Sequence, residues 1–472
     1  MSDNIHTSAN KLGATPATPM PKSIYFVGIG GIGMSAIARY FHARGVSVCG
    51  YDKTETELTK KLVAEGIAVH YNEDVDRIPK DADIVVYTPA IPKDHKELLY
   101  YQNNGFKVVK RSDILQIITE NSFNICVAGT HGKTTTTTMI AHLLRDSGYG
   151  CNAFLGGISA NYNTNFWADE KNVCVIEADE YDRSFLKLSP DTAVVTAMDA
   201  DHLDIYETEE NVMQAFSDFA GRVKQGGLLL KKFGLNRQIK ATHTLAYSLQ
   251  NDSADVYAAN IQLHQGGYLF DVVFPDDAIT GLHLYMGGMH NVENMVAAIA
   301  VAHSLKIDNE KIKNAVASFK GVKRRFEYVI NKEDLIFVDD YAHHPEELKA
   351  LINSVRSLFP QKKCTVIFQP HLYSRTKDFA PAFAAALDMA HQVILLPIYP
   401  ARELPIEGVS ANTILQDMNI DSKAVMDKDT LLHWIQNNFN KNRNTAFGEV
   451  IVTAGAGDID KLVLPIKKIL ES

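Results

Sequence analysis

No two of the five cysteines, Cys49, Cys126, Cys151, Cys174 and Cys364, form a C-x-x-C pair. Neither a zinc knuckle nor a disulfide framework is indicated, and a reducing cytoplasm is the expected setting. No apolar run approaches the roughly 20 residues that a membrane-crossing helix needs. Positive charge is also scarce: 47 Lys and Arg against 56 Asp and Glu leave a formal net charge of -9. A general nucleic-acid binder would carry a concentrated basic face, so any nucleotide bound here is expected to be a small molecule. The opening MSDNIHTSANKLGATPATPMPK has no apolar core of the kind a secretory signal carries, and residues 1 to 22 read as a disordered tail.

What is present is an ordinary globular composition, 46% hydrophobic and 22% charged, on 472 residues. A single core stops growing at about 250 to 300 residues, so several domains are expected. From Ser23 the chain alternates short apolar strands with amphipathic helices: SIYFVGIG, a helix near residues 33 to 44, VSVCGYD, another helix, then ADIVVYTPA. That rhythm predicts a parallel sheet with crossover helices. It restarts at FNICVAGTHGKT and again after KGVKRRFEY, where LIFVDD, KCTVIFQPH, QVILLPIYP and GEVIVTAGAGD are four strand candidates. Residues 254 to 286 alternate in the manner of antiparallel strands, ahead of a long Ala-rich helix from Asn291 to Leu305. The expected fold is α/β in three parts: a Rossmann-like domain over 23 to 120, a central P-loop-type domain with a mainly parallel sheet over 121 to 325, and a second Rossmann-like domain over 326 to 472.

Two glycine loops carry the chemistry. In FVGIGGIGMS, Gly28, Gly30 and Gly33 are spaced G-x-G-x-x-G after a strand, and Asp52 ends the next strand. Such glycines let a diphosphate approach a helix N-terminus, and the acid can accept a hydrogen bond from a sugar hydroxyl. NAD and a UDP-sugar both satisfy that geometry. The second loop, AGTHGKTTTT, falls short of the full G-x-x-x-x-G-K-[ST] pattern because Val127 stands where the first glycine belongs. Its working parts remain: Gly129, Gly132, Lys133 for the β- and γ-phosphates, and Thr134 to offer a hydroxyl to Mg²⁺. Glu177, at the end of NVCVIE, and His202, after TAVVTAMDADH, stand where α/β sheets place their ligands and are candidate metal ligands.

Taken together, GIGGIGMS, AGTHGKTTTT, EADEYDRSF, DADHLD, HNVENMVAA, KRRFE, DDYAHHP and FQPHLYSRT resemble the Mur ligase family, in order and over about residues 24 to 376. The resemblance implies an N-terminal module for a UDP-sugar, a central ATPase and a C-terminal module for an amino acid. UDP-N-acetylmuramate, ATP and L-alanine are the implied small-molecule substrates, with Mg²⁺ as the metal. By it, Gly28, Gly30, Gly31, Gly33, Met34, Ser35 and Asp52 serve the UDP-sugar. Gly129, Thr130, His131, Gly132, Lys133, Thr134 and Thr135 hold ATP phosphates, while Asn291, Asn294, Arg325 and Asp340 contact adenine, ribose or phosphate. Thr134, Glu177 and His202 bind metal, with Lys133, Glu177 and His202 as the catalytic set. Tyr341, His343, His371 and Arg375 line the amino-acid pocket, Arg375 taking the carboxylate. Some relatives carry a second Arg where this chain has Leu372, which puts more weight on Arg375. No motif assigns a carbamylated lysine, and a monomer or homodimer is expected.

The implied reaction joins an amine to a carboxylate, which resists attack until it is phosphorylated. The obstacle is anion meeting anion, since two unit charges 4 Å apart repel by about 4 kcal/mol at an effective dielectric near 20. Cations must dominate such a site, and Lys133 and Mg²⁺ are the expected sources. Three alternatives stand beside this reading: a relative that recycles a murein tripeptide, an NAD-dependent oxidoreductase built on the first loop, and a nucleotide-binding scaffold without turnover.

Overall fold

Three sheets form in chain order from runs rich in β-branched and aromatic residues. The computed structural model describes residues 20 to 472 except Pro89, Asp182, Ala200, Asp201, His202, Asn236, Arg402 and Thr445. The first sheet holds β1 (Ser23–Val27), β2 (Ser47–Tyr51), β3 (Ala68–His70), β4 (Ile84–Tyr87) and β5 (Val108–Lys110), in the order β3-β2-β1-β4-β5. Its pairings are parallel, so crossover helices cover both faces and the strands read as nearly unbroken apolar runs.

The second sheet contains β6 (Phe123–Ala128), β7 (Asn152–Ser159), β8 (Thr164–Trp167), β9 (Val173–Glu177), β10 (Thr192–Val195), β11 (Leu228–Lys232), β12 (His243–Ser248), β13 (Val256–His264), β14 (Gly267–Val273) and β15 (Ala278–Leu284). Its order is β15-β14-β13-β12-β11-β10-β6-β9-β7-β8. Parallel β6 lies between β10 and β9, so the loop that follows it opens at the carboxyl ends of three adjacent strands. The third sheet is built from β16 (Glu327–Asn331), β17 (Leu335–Asp340), β18 (Lys363–Phe368), β19 (Gln392–Leu395), β20 (Lys423–Val425) and β21 (Glu449–Ala454), ordered β16-β17-β21-β18-β19-β20. The four strands expected here are β17, β18, β19 and β21. The structure adds a short parallel edge, β20, and an antiparallel edge, β16.

The chain packs as two compact units. One comprises the chain up to Ala259 with Asp271–Leu282 and Glu293–Phe319; the other is Asn260–Phe270, His283–Val292 and Lys320–Ser472. The expected break near residue 120 therefore separates two sheets but not two cores. A single apolar cluster runs from Ile24, Met34 and Phe41 through Cys126, Phe154 and Phe166 to Phe216 and Phe219. Helix Ile32–His42 makes the join by packing on β7 and β8, with the Tyr40 ring 5.2 Å from Phe154 and 6.3 Å from Phe166. Such aromatic pairs contribute about 0.5–1.5 kcal/mol each beyond the area they bury. Arg39, almost fully buried, donates to Glu65 and to Asn165 Oδ1, which fixes the same helix on its polar side. All five cysteines are free thiols, and no helix among the described residues is long and apolar enough to cross a membrane.

Candidate active site

Strand β6 is apolar from Ile125 to Ala128 and then enters a turn that only glycine can make. Gly129 has φ +141°, and a Cβ on it would lie 2.1 Å from Thr196 Oγ1. Gly132, at φ +82°, caps helix Lys133–Asp146 in the left-handed region. Between them Thr130 Oγ1 donates to Asp199 Oδ2 at 3.3 Å, and Thr196 Oγ1 donates to His131 O. The loop is tied to the segment after β10, where Thr130 N also donates to Ala197 O at 3.2 Å, and it leads into a helix start with no acid in its first turn. Such a turn has the form of an anion cradle.

The threonine run that follows, Thr134 to Thr138, is buried throughout. Thr137 Oγ1 donates to Lys133 O at 2.8 Å and Thr138 Oγ1 to Thr134 O at 2.7 Å, so these hydroxyls enter the core by bonding one turn back. Thr134 Oγ1 instead donates to Glu177 Oε1 at 3.0 Å. Glu177 ends β9 opposite Val127, and its Oε2 accepts from Gly156 N at 3.0 Å. A Cβ on Gly156 would fall 2.1 Å from that oxygen, so β7 is glycine there to make room for the carboxylate. A hydroxyl and a carboxylate this close to an anion cradle fit Mg²⁺, a hard cation that takes few protein oxygens and completes its shell with water and phosphate. His202, the third expected ligand, lies outside the described residues.

Lys133 Nζ donates to Gly129 O and to Glu180 Oε1, both at 2.7 Å. The Glu180 side chain is 1% exposed, and burial pushes its carboxyl above the ordinary value while Lys133 pulls it back. Asn294 leans on the same turn: a Cβ on Gly132 would lie 2.9 Å from its Oδ1. Asn291, expected at the nucleotide, donates from Nδ2 to Gly287 O at 2.7 Å, so that amide closes the entry to its own helix.

At the first glycine loop, Gly28 has φ +87° and its N–H donates to Tyr51 O at 2.8 Å. Asp52, expected to face a sugar, pins the loop: Oδ2 accepts from Gly30 N at 2.7 Å and Oδ1 from Thr54 N at 3.2 Å. Gly31 is the N-cap of helix Ile32–His42 and offers no side chain to it. A Cβ on Gly33 would lie 2.5 Å from Arg111 Nη1, and Arg111 Nη2 stands 3.2 Å from Asp179 Oδ2. A guanidinium thus rests on the first turn of a helix that opens at a glycine loop, an arrangement that suits a diphosphate. Met34 and Ser35 correct the sequence expectation: they are 2% and 0% exposed, and Ser35 Oγ is bonded to Ile32 O and Asn165 Nδ2. They seat the helix in the core and do not face the loop's open side.

In the second unit, Tyr341, His343, His371 and Arg375 come together. The His343 ring lies 5.2 Å from Tyr341 and 5.9 Å from His371, which stacks on Tyr399. Burial lowers the pKa of both imidazoles and Arg375 lowers them further, leaving the guanidinium as the cation of the group. Arg375 Nη1 and His371 Nδ1 are buried without a hydrogen-bond partner among the described residues. Buried polar groups are normally satisfied, so these two suit a ligand that brings polar atoms of its own. Leu372, where a second Arg was sought, has φ +70° and precedes helix Tyr373–Leu387. Asp340 serves its own loop: its oxygens accept from Phe326 N at 2.6 Å and Ala342 N at 2.7 Å, and its carboxyl is pushed up to about 6 by burial. It holds a loop in which Arg324 and Phe326 adopt φ +62° and +49°, while Arg325 N bonds to Val322 O.

Three family models match the chain in series: Mur ligase family, catalytic domain, at residues 23–122; Mur ligase middle domain at 127–302; and Mur ligase, glutamate ligase domain, at 324–459. A UDP-N-acetylmuramate–L-alanine ligase of Porphyromonas gingivalis is 46% identical over 96% of this chain and 99% of its own length. A crystal structure of a UDP-N-acetylmuramate–alanine ligase from Thermotoga maritima superposes with a TM-score of 0.77 at 27% identity, covering 95% of this chain and 98% of that one. A murein peptide ligase from Psychrobacter arcticus, at 22% identity and a TM-score of 0.65 over 95% of this chain and 98% of that chain, shares the fold. With every segment of the two glycine loops, the Glu177 carboxylate and the histidine and arginine pocket falling inside those three models, the chain belongs to the Mur ligase family.

Proposed function

We propose that the protein joins L-alanine to the lactoyl carboxylate of UDP-N-acetylmuramate at the expense of ATP, as a cytoplasmic step in peptidoglycan precursor synthesis. The observation that carries this is the cradle at Gly129–Thr134 with Lys133 over it and the Thr134–Glu177 pair beside it. Relatives that match almost the whole chain and are UDP-N-acetylmuramate–L-alanine ligases by name support the choice of substrates.

The lactoyl carboxylate attacks the γ-phosphorus of ATP, the bond to the β-phosphate oxygen breaks, and ADP leaves an acyl phosphate. The amine of alanine then attacks the acyl carbon, sheds a proton, and expels inorganic phosphate as the amide forms. Lys133 offsets negative charge where the two oxyanions meet. Mg²⁺, when bound by Thr134 and Glu177, with His202 as the further candidate, supplies the remaining charge neutralisation. Arg111 and the helix start at Gly31 hold the sugar diphosphate, and Arg375 donates to the alanine carboxylate.

Phosphate release with ATP, Mg²⁺ and UDP-N-acetylmuramate tests the assignment when the fourth component is varied. L-Alanine-dependent release is the expected result; preference for an L-alanine-containing tripeptide, or no dependence on any amine, overturns it. In the same assay Arg375→Ala is expected to raise the KM for alanine by roughly 10- to 100-fold, the scale of losing a charge-assisted hydrogen bond. The KM for ATP should stay put. An unchanged alanine KM removes Arg375 from carboxylate recognition.

A further inference from the structure

Glu180 lies inside the EADEYDRSF segment, yet no role attaches to it from the spacing of that segment. It lies on the loop after β9, and that loop is fastened at several points. Ala178 N donates to Val127 O, Tyr206 OH to Glu180 O at 2.6 Å, and Ser184 Oγ to Asp179 O at 3.0 Å. Tyr206 is itself fully buried. On this fixed mount the Glu180 carboxylate takes one donor of Lys133 Nζ at 2.7 Å, and Gly129 O takes a second at the same distance. An ammonium has three donors. With two committed to rigid acceptors at the rim of the cradle, the direction of the third is fixed.

We propose that Glu180 is a positioning residue for the ligase reaction, aiming the third N–H of Lys133 at the transferring phosphate and removing the rotamer freedom of a long flexible side chain. The idea rests on the assignment of the cradle to ATP. A lysine left to find its own pose would spread over several rotamers, and only a fraction of them would meet the charge that develops at the γ-phosphate. Glu180 also places a negative charge near the triphosphate, so its effect on ground-state binding is neutral or unfavourable while its effect on turnover is favourable. A group that only holds the fold together would not separate the two.

Glu180→Ala is expected to lower kcat roughly tenfold, the scale of a modestly misplaced catalytic group, without raising the KM for ATP. Glu180→Gln retains an oxygen acceptor for Nζ and should recover most of kcat. Titration of the folded variants with a non-hydrolysable ATP analogue and Mg²⁺ should give affinities equal to or tighter than wild type. A KM for ATP that rises alongside the fall in kcat, or a Gln variant as impaired as the Ala variant, overturns the proposal. Wild-type protein that fails to bind the analogue would instead sink the ATP assignment, so the two failures are told apart in one series.

Discussion

Lys133→Ala is expected to lower turnover by roughly 10²-fold or more, the scale of losing one preorganised cation or donor from a site that stabilises developing charge. The size follows from the problem at the cradle, where a carboxylate must touch a polyphosphate and repulsion between two unit charges alone reaches about 4 kcal/mol at 4 Å with an effective dielectric near 20. The variant also strips Glu180 of the cation 2.7 Å from its buried oxygen. Breaking a buried pair by removing one partner costs about 3–5 kcal/mol when the remaining charge persists. The Glu180 carboxyl is already raised by burial, so protonation offers it a way out and the fold should survive. Thermal unfolding of Lys133→Ala beside Lys133→Ala/Glu180→Gln separates the effects: the double variant should regain thermal stability and remain inactive. Near-normal turnover in either would take Lys133 out of the mechanism.

Gly156→Ala should be nearly as damaging for a different reason. The added methyl would sit 2.1 Å from Glu177 Oε2 and 2.7 Å from Cδ, and the far end of that flexible side chain is what gives way. The backbone at Gly156 lies outside the left-handed region, so alanine meets no conformational barrier and the melting temperature should scarcely move. What is lost is the pose in which Glu177 faces Thr134, and displacing a catalytic group by about 1 Å can cost about 10²-fold. The expected result is a folded protein with turnover down roughly that much, partly restored by raising Mg²⁺. Wild-type turnover would show that Glu177 does not act from the position it occupies here.

Much of the fold could be read from the sequence because its strands announce themselves. CVA before GTHGK, VCVIE, and the apolar runs of the last third are β-branched segments bounded by turn residues, and all became parallel strands. Short edges such as Lys423–Val425 have too few residues to show a period, and they were missed. Lys133, Thr134 and Glu177 could be singled out because each stands at the end of a strand or the start of a helix, where backbone geometry alone sets the position of a side chain. Gly156, Arg111 and Glu180 were not. Their partners, Glu177, Gly33 and Lys133, are distant in sequence, and only the packing of β7, the helix beginning at Arg111 and the loop after β9 brings them near. A glycine inside the apolar strand NAFLGGIS was the one available hint for Gly156, since such glycines often mark a close approach. Asp52 and Asp340 carry a second task that sequence did not show, since their oxygens accept from backbone N–H groups of their own loops.

The apolar cluster that Tyr40, Phe154 and Phe166 help to stitch has a bearing on how such enzymes diversify. Because residues 23–122 share their interior with the segment that follows, a graft ending near residue 122 would leave half of that cluster facing water. A chimera that keeps both segments from one parent is therefore expected to fold where one that splits them at residue 122 does not.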